Sequence, residues 1–242
     1  MADGHRRVSL KPRCFIEATM PDLDKPGGAH CATEMASFVC EEHASIEDGV
    51  LVLPTGAYKG CTILQTVTLP TTLEQIGASA FSGCTSLAAV NLKEASSLQS
   101  IGSHAFSKTL LEHIALPPSL KTLGAYAFDE VRTLERAELS ESSLQVIEAG
   151  TFWGCGSLVG VSLPPTLQKI DTASFYDCSA LAELELPAGV HHIGEHAFRG
   201  CSSLGELALP AALVFLGFNA FRGSSAKYEV RRGVKRGETD DD

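Results

Sequence analysis

Apolar residues recur along this chain in short bursts parted by polar corners, and the bursts keep time. An aromatic column sets the phase: Tyr58, Phe81, Phe106, Phe128, Phe152, Phe175, Phe198 and Phe221, at intervals of 23, 25, 22, 24, 23, 23 and 23 residues. Aliphatic columns run in register with it. One is Leu64, Leu87, Leu111, Leu134, Leu158, Leu181 and Leu204; pairs such as Val67/Leu69, Val90/Leu92 and Leu184/Leu186 end a strand; Leu73, Leu98, Leu120, Leu144, Leu167, Val190 and Leu213 begin the next limb. A period in the twenties means a solenoid whose coils stack on one another.

Each coil predicts the same elements. A short strand such as TVTLP stacks in a parallel sheet, and Pro70, Pro117, Pro164, Pro187 and Pro210 end it because proline cannot continue a ladder. TLEQIG turns the corner and forms a second short strand. Gly77, Gly102, Gly124, Gly194 and Gly217 mark the bend, with Glu148 and Asp171 in the same column. ASAFSGC makes a single helical turn that plants Phe81 in the core. VLVLP, Val50 to Pro54, aligns with VTLP at Val67 to Pro70, so the first coil is expected to lack its second limb.

The repeated fragment IGxxAFxGCxSLxxVxLP resembles the BspA-like class of leucine-rich repeats over about Ile46 to Gly223. The common asparagine ladder is missing: the chain has only Asn91 and Asn219. A hydroxyl residue precedes the limb-starting leucine instead, at Thr72, Ser97, Ser119, Ser143 and Thr166, placed to bond turn backbone. The expected fold is therefore a right-handed, curved repeat solenoid of about 23 residues per coil, with stacked parallel strands and single helical turns. The resemblance implies binding or adhesion to proteins.

The expected organisation has three parts. Residues 1–45 are a loosely ordered lead-in ending in a cap helix from Cys31 to His43; 46–223 are the solenoid; 224–242 are a charged edge strand and an acidic tail. Within the last part AKYEVRR continues the sheet, with Val230 in the Val67 column and Arg232 in the Leu69 column. Coils three and four are irregular: KEASSL from Lys93 is two residues longer than PTTL, SKTLL from Ser107 is one short and SESSL from Ser140 is one long, and insertions map to corners.

Composition changes the picture in three places. Apolar runs are too short for a membrane-spanning helix, and no secretory signal is recognisable at the start, so the default location is cytoplasmic, with the cell surface or secretion as the alternative. Net charge is −10, which disfavours nucleic acid and anionic membranes. Cys61, Cys84, Cys155, Cys178 and Cys201 each follow the aromatic by three residues and are replaced elsewhere by Thr109, Val131 and Ser224; the expectation is a free, buried thiol column.

Candidate chemistry is sparse. No P-loop, GxGxxG, GxSxG or HExxH motif occurs, so the chain is expected to be a non-enzyme without a cofactor or metal. The cluster HHIGEH, His191 to His196, is expected on a solvated corner. The strand face is better defined. Residues between the inward Val and Leu point out: Thr68, Asn91, Ala115, Glu138, Ser162, Glu185 and Ala208, flanked by Thr66, Ala89, His113, Arg136, Gly160, Glu183 and Glu206. The candidate partner-binding residues are Glu138, Glu183, Glu185, Glu206, Arg136 and His113 on this face. Trp153 joins them, either as a binding anchor or as a cover for its own corner. The expected partner of this monomer is a protein with a basic surface, bound by a scaffold or recognition module or, alternatively, by a surface or secreted adhesin.

Overall fold

The computed structural model describes residues 39–237. Most coils contribute two short parallel strands, one on each limb; toward the C-terminal end the first limb narrows to the single bridge between Glu206 and Lys227. The first-limb strands are His43–Ser45, Thr66–Thr68, Ala89–Val90, His113–Ala115, Arg136–Glu138, Gly160–Ser162 and Glu183–Leu184. The second-limb strands begin with Val52–Leu53, Gln75–Ile76, Ser100–Ile101 and Thr122–Leu123. They continue with Val146–Ile147, Lys169–Ile170, His192–Ile193, Phe215–Leu216 and Lys235–Arg236. Pairing is coil to coil: Val67 lies opposite Val90, and Ile170 opposite Ile193. The strands are short because most have one inward residue to bury before the chain must turn.

Between the limbs run the leucine columns, nearly all fully buried, and at the third corner the aromatic column. Successive rings from Tyr58 to Phe221 stack almost parallel, with centroids 5.1–5.7 Å apart. That spacing is slightly wider than the ~4.8 Å between strands, and offset stacking takes up the difference. Tyr228 adds a ninth ring, 4.4 Å from Phe221. The hydroxyl column replaces the missing asparagine ladder as expected. Ser119 donates to the Leu98 carbonyl at 2.7 Å, Ser143 to Pro118 at 3.0 Å and Thr166 to Leu144 at 2.7 Å.

The aromatic corner is tighter than a helical turn. Two residues before each ring and two after it, the backbone is left-handed: Ser79 and Gly83 around Phe81, His104 and Lys108 around Phe106, His196 and Gly200 around Phe198. Left-handed residues break an α-helical hydrogen-bond run. The backbone pairs with the next coil instead: Phe81 N–H donates to Ala105 at 2.8 Å, and Phe175 N–H to Ala197 at 2.8 Å. Among the described residues the one helical element is the 3-10 turn Leu92–Glu94, which leads into the KEASSL insertion.

Both ends of the solenoid differ from expectation. Leu53 lies opposite Ile76, not in the Val67/Leu69 columns, and it precedes Tyr58 by the same five residues that separate Ile76 from Phe81. VLVLP is thus the second limb of a complete first coil, whose first limb is His43–Ser45. The helix expected from Cys31 lies outside the described residues except at its end, where His43 is already strand. At the other end Glu206 bridges Lys227, which puts Tyr228 and not Val230 in the Val67 column. A further second-limb strand follows: Lys235–Arg236 pairs with Phe215–Leu216, and Gly237 N–H donates to Leu216 at 2.9 Å. The ladder therefore runs past 46–223 on both sides.

The cysteine column is partly corrected. Cys84, Cys155, Cys178 and Cys201 are free and buried, but Cys61 forms a disulfide with Cys40. The free thiols are more than filler. Each donates to the aromatic carbonyl of the preceding coil, Cys84 to Tyr58 at 3.0 Å and Cys201 to Phe175 at 3.1 Å. Burial pushes the Cys84 thiol up to about 11 and Cys201 up to about 12, so little thiolate forms at neutral pH. Alkylation of native protein is expected to spare all four, and denaturation to expose them. Cys40 and Cys61 should label only after reduction. Peptide mass spectrometry reads each site, and labelling of Cys61 without reductant would refute the bridge.

Candidate functional site

The strand face is built by alternation. In Arg136–Glu138, Ala137 is buried while Arg136 and Glu138 are exposed, and Thr66–Thr68 follows the same alternation with Thr66 half-buried. Register aligns the columns across coils: His113, Arg136, Gly160 and Glu183 lie opposite one another in sequence, as do Ala115, Glu138 and Ser162. Six of the seven candidate residues, His113, Arg136, Glu138, Glu183, Glu185 and Glu206, thus share one face. Trp153 is separate, at the aromatic corner.

Two open grooves run along this face. The larger, about 1060 Å³, is lined by Arg136, Glu138, Gly160, Ser162, Glu183, Glu185 and Glu206 and bounded by Pro165 and Pro187. The smaller, about 520 Å³, is lined by Thr66, Thr68, Asn91, His113, Arg136 and Glu138. Small residues make the floor and long ones the walls, because Gly160 and Ser162 stand between the large side chains of neighbouring coils.

The electrostatics differ from a simple acidic patch. Arg136 reaches across Gly160 and donates to Glu183 at 2.9 Å. A Cβ on Gly160 would lie 3.1 Å from the Glu183 carboxylate and 3.2 Å from the Arg136 guanidinium, so glycine leaves the bridge its space. The hydrogen bond from Arg136 holds the Glu183 carboxyl below its usual range and raises the guanidinium. Repulsion at Glu183 is therefore already relieved within the chain. Glu138, Glu185 and Glu206 have no ion-pair partner among the described residues.

The insertions give the face a rim. Where KEASSL departs from the repeat, the first-limb sheet is interrupted between Ala89–Val90 and His113–Ala115. Asn91, expected to point outward, turns its amide back: Leu69 N–H donates to its Oδ1 at 2.7 Å and its Nδ2 donates to the Leu69 carbonyl at 3.1 Å. Lys93 of this insertion meets Glu141 of the second insertion at 3.4 Å. The two insertions thus meet across the coil that lies between them.

The histidine cluster does not converge. His192 stacks on Phe215 at 4.5 Å and is half-buried, and burial lowers its pKa. His196 packs edge-to-face with Phe218 at 5.9 Å, its Nδ1 buried without a hydrogen bond. The corner is more packed than the solvated one expected. Among the described residues no group of three or more His, Cys, Asp or Glu is placed to hold a metal ion, and no helix is long and apolar enough to cross a membrane.

A family model described as BspA type leucine rich repeat region, in six copies, matches residues 51–181 and 123–230. The chain belongs to this family. Solved structures agree with the fold of these BspA-type repeats. A leucine-rich repeat protein from Bacteroides ovatus superposes with a TM-score of 0.63 at 22% identity, covering 81% of this chain and 59% of that one. The present chain therefore spans less than two thirds of the B. ovatus protein. A leucine-rich repeat protein from T. pallidum gives a TM-score of 0.59 at 30% identity, covering 69% of this chain and 79% of the other. No curated protein matches. BspA-type repeats are in general of the protein-interaction or surface-protein kind.

Proposed function

We propose that this BspA-type solenoid is a non-catalytic, monomeric protein-interaction module whose partner lies in the larger strand-face groove and presents a Lys/Arg patch. The observation that carries this reading is the set Glu138, Glu185 and Glu206: exposed, lining one groove, and without ion-pair partners among the described residues. Charges of one sign along a groove raise the on-rate of an oppositely charged partner and fall in effect as salt rises. Arg136 and Glu183 supply register, since a partner must fit around the bridge or open it.

The test compares binding of an affinity-isolated partner to wild type and to the triple variant Glu138→Gln/Glu185→Gln/Glu206→Gln. The triple variant should bind at least tenfold more weakly at low salt, about 1.4 kcal/mol, and lose most of the salt dependence. Glu183→Gln alone should do less at low salt, because it frees Arg136 while removing one carboxylate. Equal affinity of wild type and triple variant at every salt concentration would remove the groove from consideration.

A second reading, adhesion at the cell exterior, is favoured by Cys40–Cys61, since structural disulfides persist in oxidising compartments. The thiol labelling described above, done on freshly lysed cells with the thiols blocked at lysis, separates the two settings. Reduced Cys40 and Cys61 would favour an intracellular scaffold.

A further inference from the structure

A ridge of rings runs along the aromatic corner, outside the buried column. His104 lies flat on Tyr126, centroids 5.0 Å apart and 4° from parallel. Trp153 follows Tyr126 at 6.1 Å and 72°, and Tyr176 follows Trp153 at 6.0 Å and 80°. The Arg199 guanidinium then caps Tyr176 at 5.4 Å from the ring centre. The ridge switches column part-way. His104 and Tyr126 stand two residues before their phenylalanines, whereas Trp153, Tyr176 and Arg199 stand one residue after theirs. Gly150 makes the switch possible: its backbone is left-handed, φ +61, and any Cβ there would run into the Tyr126 ring.

The arrangement leaves one π face without a stacking partner along the ridge. Tyr126 is stacked by His104, and Tyr176 is covered by Arg199. Trp153 is nearly perpendicular to both tyrosines, so neither stacks on it, and it is 40% exposed. The charges around it are mostly spoken for. Glu130 is held by Arg132 at 3.2 Å and Lys108 at 3.6 Å, and Asp129 by His104 at 3.2 Å. This contrasts with the strand-face groove, where three carboxylates have no ion-pair partner. A balanced surround recruits no ion.

A neutral ligand that fits must offer a flat apolar face to the indole and a rim of groups that both donate and accept. The Tyr126 and Tyr176 hydroxyls do both, the exposed Asp177 carboxylate only accepts, and Arg199 only donates. A pyranose ring has this composition: one face of C–H groups, which the negative face of an aromatic quadrupole attracts, and hydroxyls at the edge. A proline-rich segment has acceptors but few N–H groups and would leave Asp177 unserved. We propose that the ridge centred on Trp153 is a platform for a neutral oligosaccharide, laid along the solenoid axis, separate from the protein-binding groove.

Trp153 is the only tryptophan in the chain, so its fluorescence reports this site alone. Titration with cellohexaose, maltohexaose and chitohexaose should give a saturable change with at least one of them, insensitive to salt. Tyr176→Ala should weaken that binding about tenfold, ~1.4 kcal/mol. Trp153→Ala, followed by calorimetry, should abolish it with the melting temperature kept. The triple glutamate variant of the groove should bind the sugar like wild type, so failure here and failure of the groove are distinguishable. The proposal is overturned if none of the three sugars gives a saturable change. It is also overturned if binding survives Tyr176→Ala undiminished, or if decaproline binds in their place.

Discussion

Phe175→Ala will lower the stability of the solenoid by about 3–5 kcal/mol. The Phe175 ring is fully buried, stacked 5.4 Å from Phe152 and 5.3 Å from Phe198. In a globular core, neighbours partly collapse into such a cavity. Here they are held apart. The Phe175 N–H is bonded to Ala197 at 2.8 Å, and Phe152 N–H to Ser174 at 2.8 Å. These ladders fix the rise per coil at roughly the ~4.8 Å of strand spacing, so the hole stays open and the loss lies in the upper part of the range. For a chain of this size each kcal/mol is about 2–4 °C in melting temperature. Coils in such an array are held by contacts with their neighbours, so damage at the centre should also broaden or split the melt. Phe221→Ala, nearer the end, should do less. A thermal scan of the three proteins decides it. A Phe175→Ala variant that melts like wild type would mean that the aromatic column is not the spine of the fold.

The parts of the structure legible in the sequence were those written many times. One leucine is ambiguous, but seven in register with eight aromatics leave one architecture, and the outward columns of the strand face follow from alternation except at Asn91, whose amide turns back onto Leu69. What escaped was set by contacts between columns. The Arg136–Glu183 bridge joins residues 47 apart, two coils away across Gly160, and appears only when register is known. The left-handed residues after each aromatic had a trace in Gly60, Gly83, Gly154, Gly200 and Gly223, but Lys108, Glu130 and Asp177 interrupt that column. The left-handed positions before the aromatic are filled mostly by Ser79, His104, Tyr126, Ala173, His196 and Asn219, and no single residue type marks them. The first coil was misaligned because VLVLP resembles one limb in composition while its five-residue distance to Tyr58 belongs to the other. Trp153 was visible as an oddity. Its place between two tyrosines was not, because the ridge changes column at Gly150.

Gly102→Ala will cost about 1–3 kcal/mol, the usual penalty of overpacking, and will open the second-limb ladder locally. The glycines of this column were expected to serve a bend, yet no left-handed φ is found at Gly77, Gly102, Gly124, Gly194 or Gly217. They serve closeness. A Cβ on Gly102 would sit 2.5 Å from the Ala78 nitrogen and 2.8 Å from the Gly77 carbonyl carbon. Both are backbone and cannot rotate away. The only relief is to part the coils, which strains the bond from Gly102 N–H to Ile76 at 2.8 Å. A related case is already in the chain, at the corner that the SESSL insertion also disturbs. Where Glu148 replaces glycine, the second-limb sheet is interrupted: Thr122–Leu123 and Val146–Ile147 belong to separate sheets. Asp171, next in the column, keeps its bond to Ile147 at 2.9 Å and gains one from Lys169 at 3.0 Å, so a side chain is accepted above a coil that is itself not glycine. Glu148→Gly should therefore let the two sheets join, and Gly102→Ala should create a second break. Amide hydrogen exchange at Gly102 and Leu123, with chemical denaturation of both variants, measures each effect. Gly102→Ala with wild-type stability and full protection at that amide would show that backbone closeness does not govern the column.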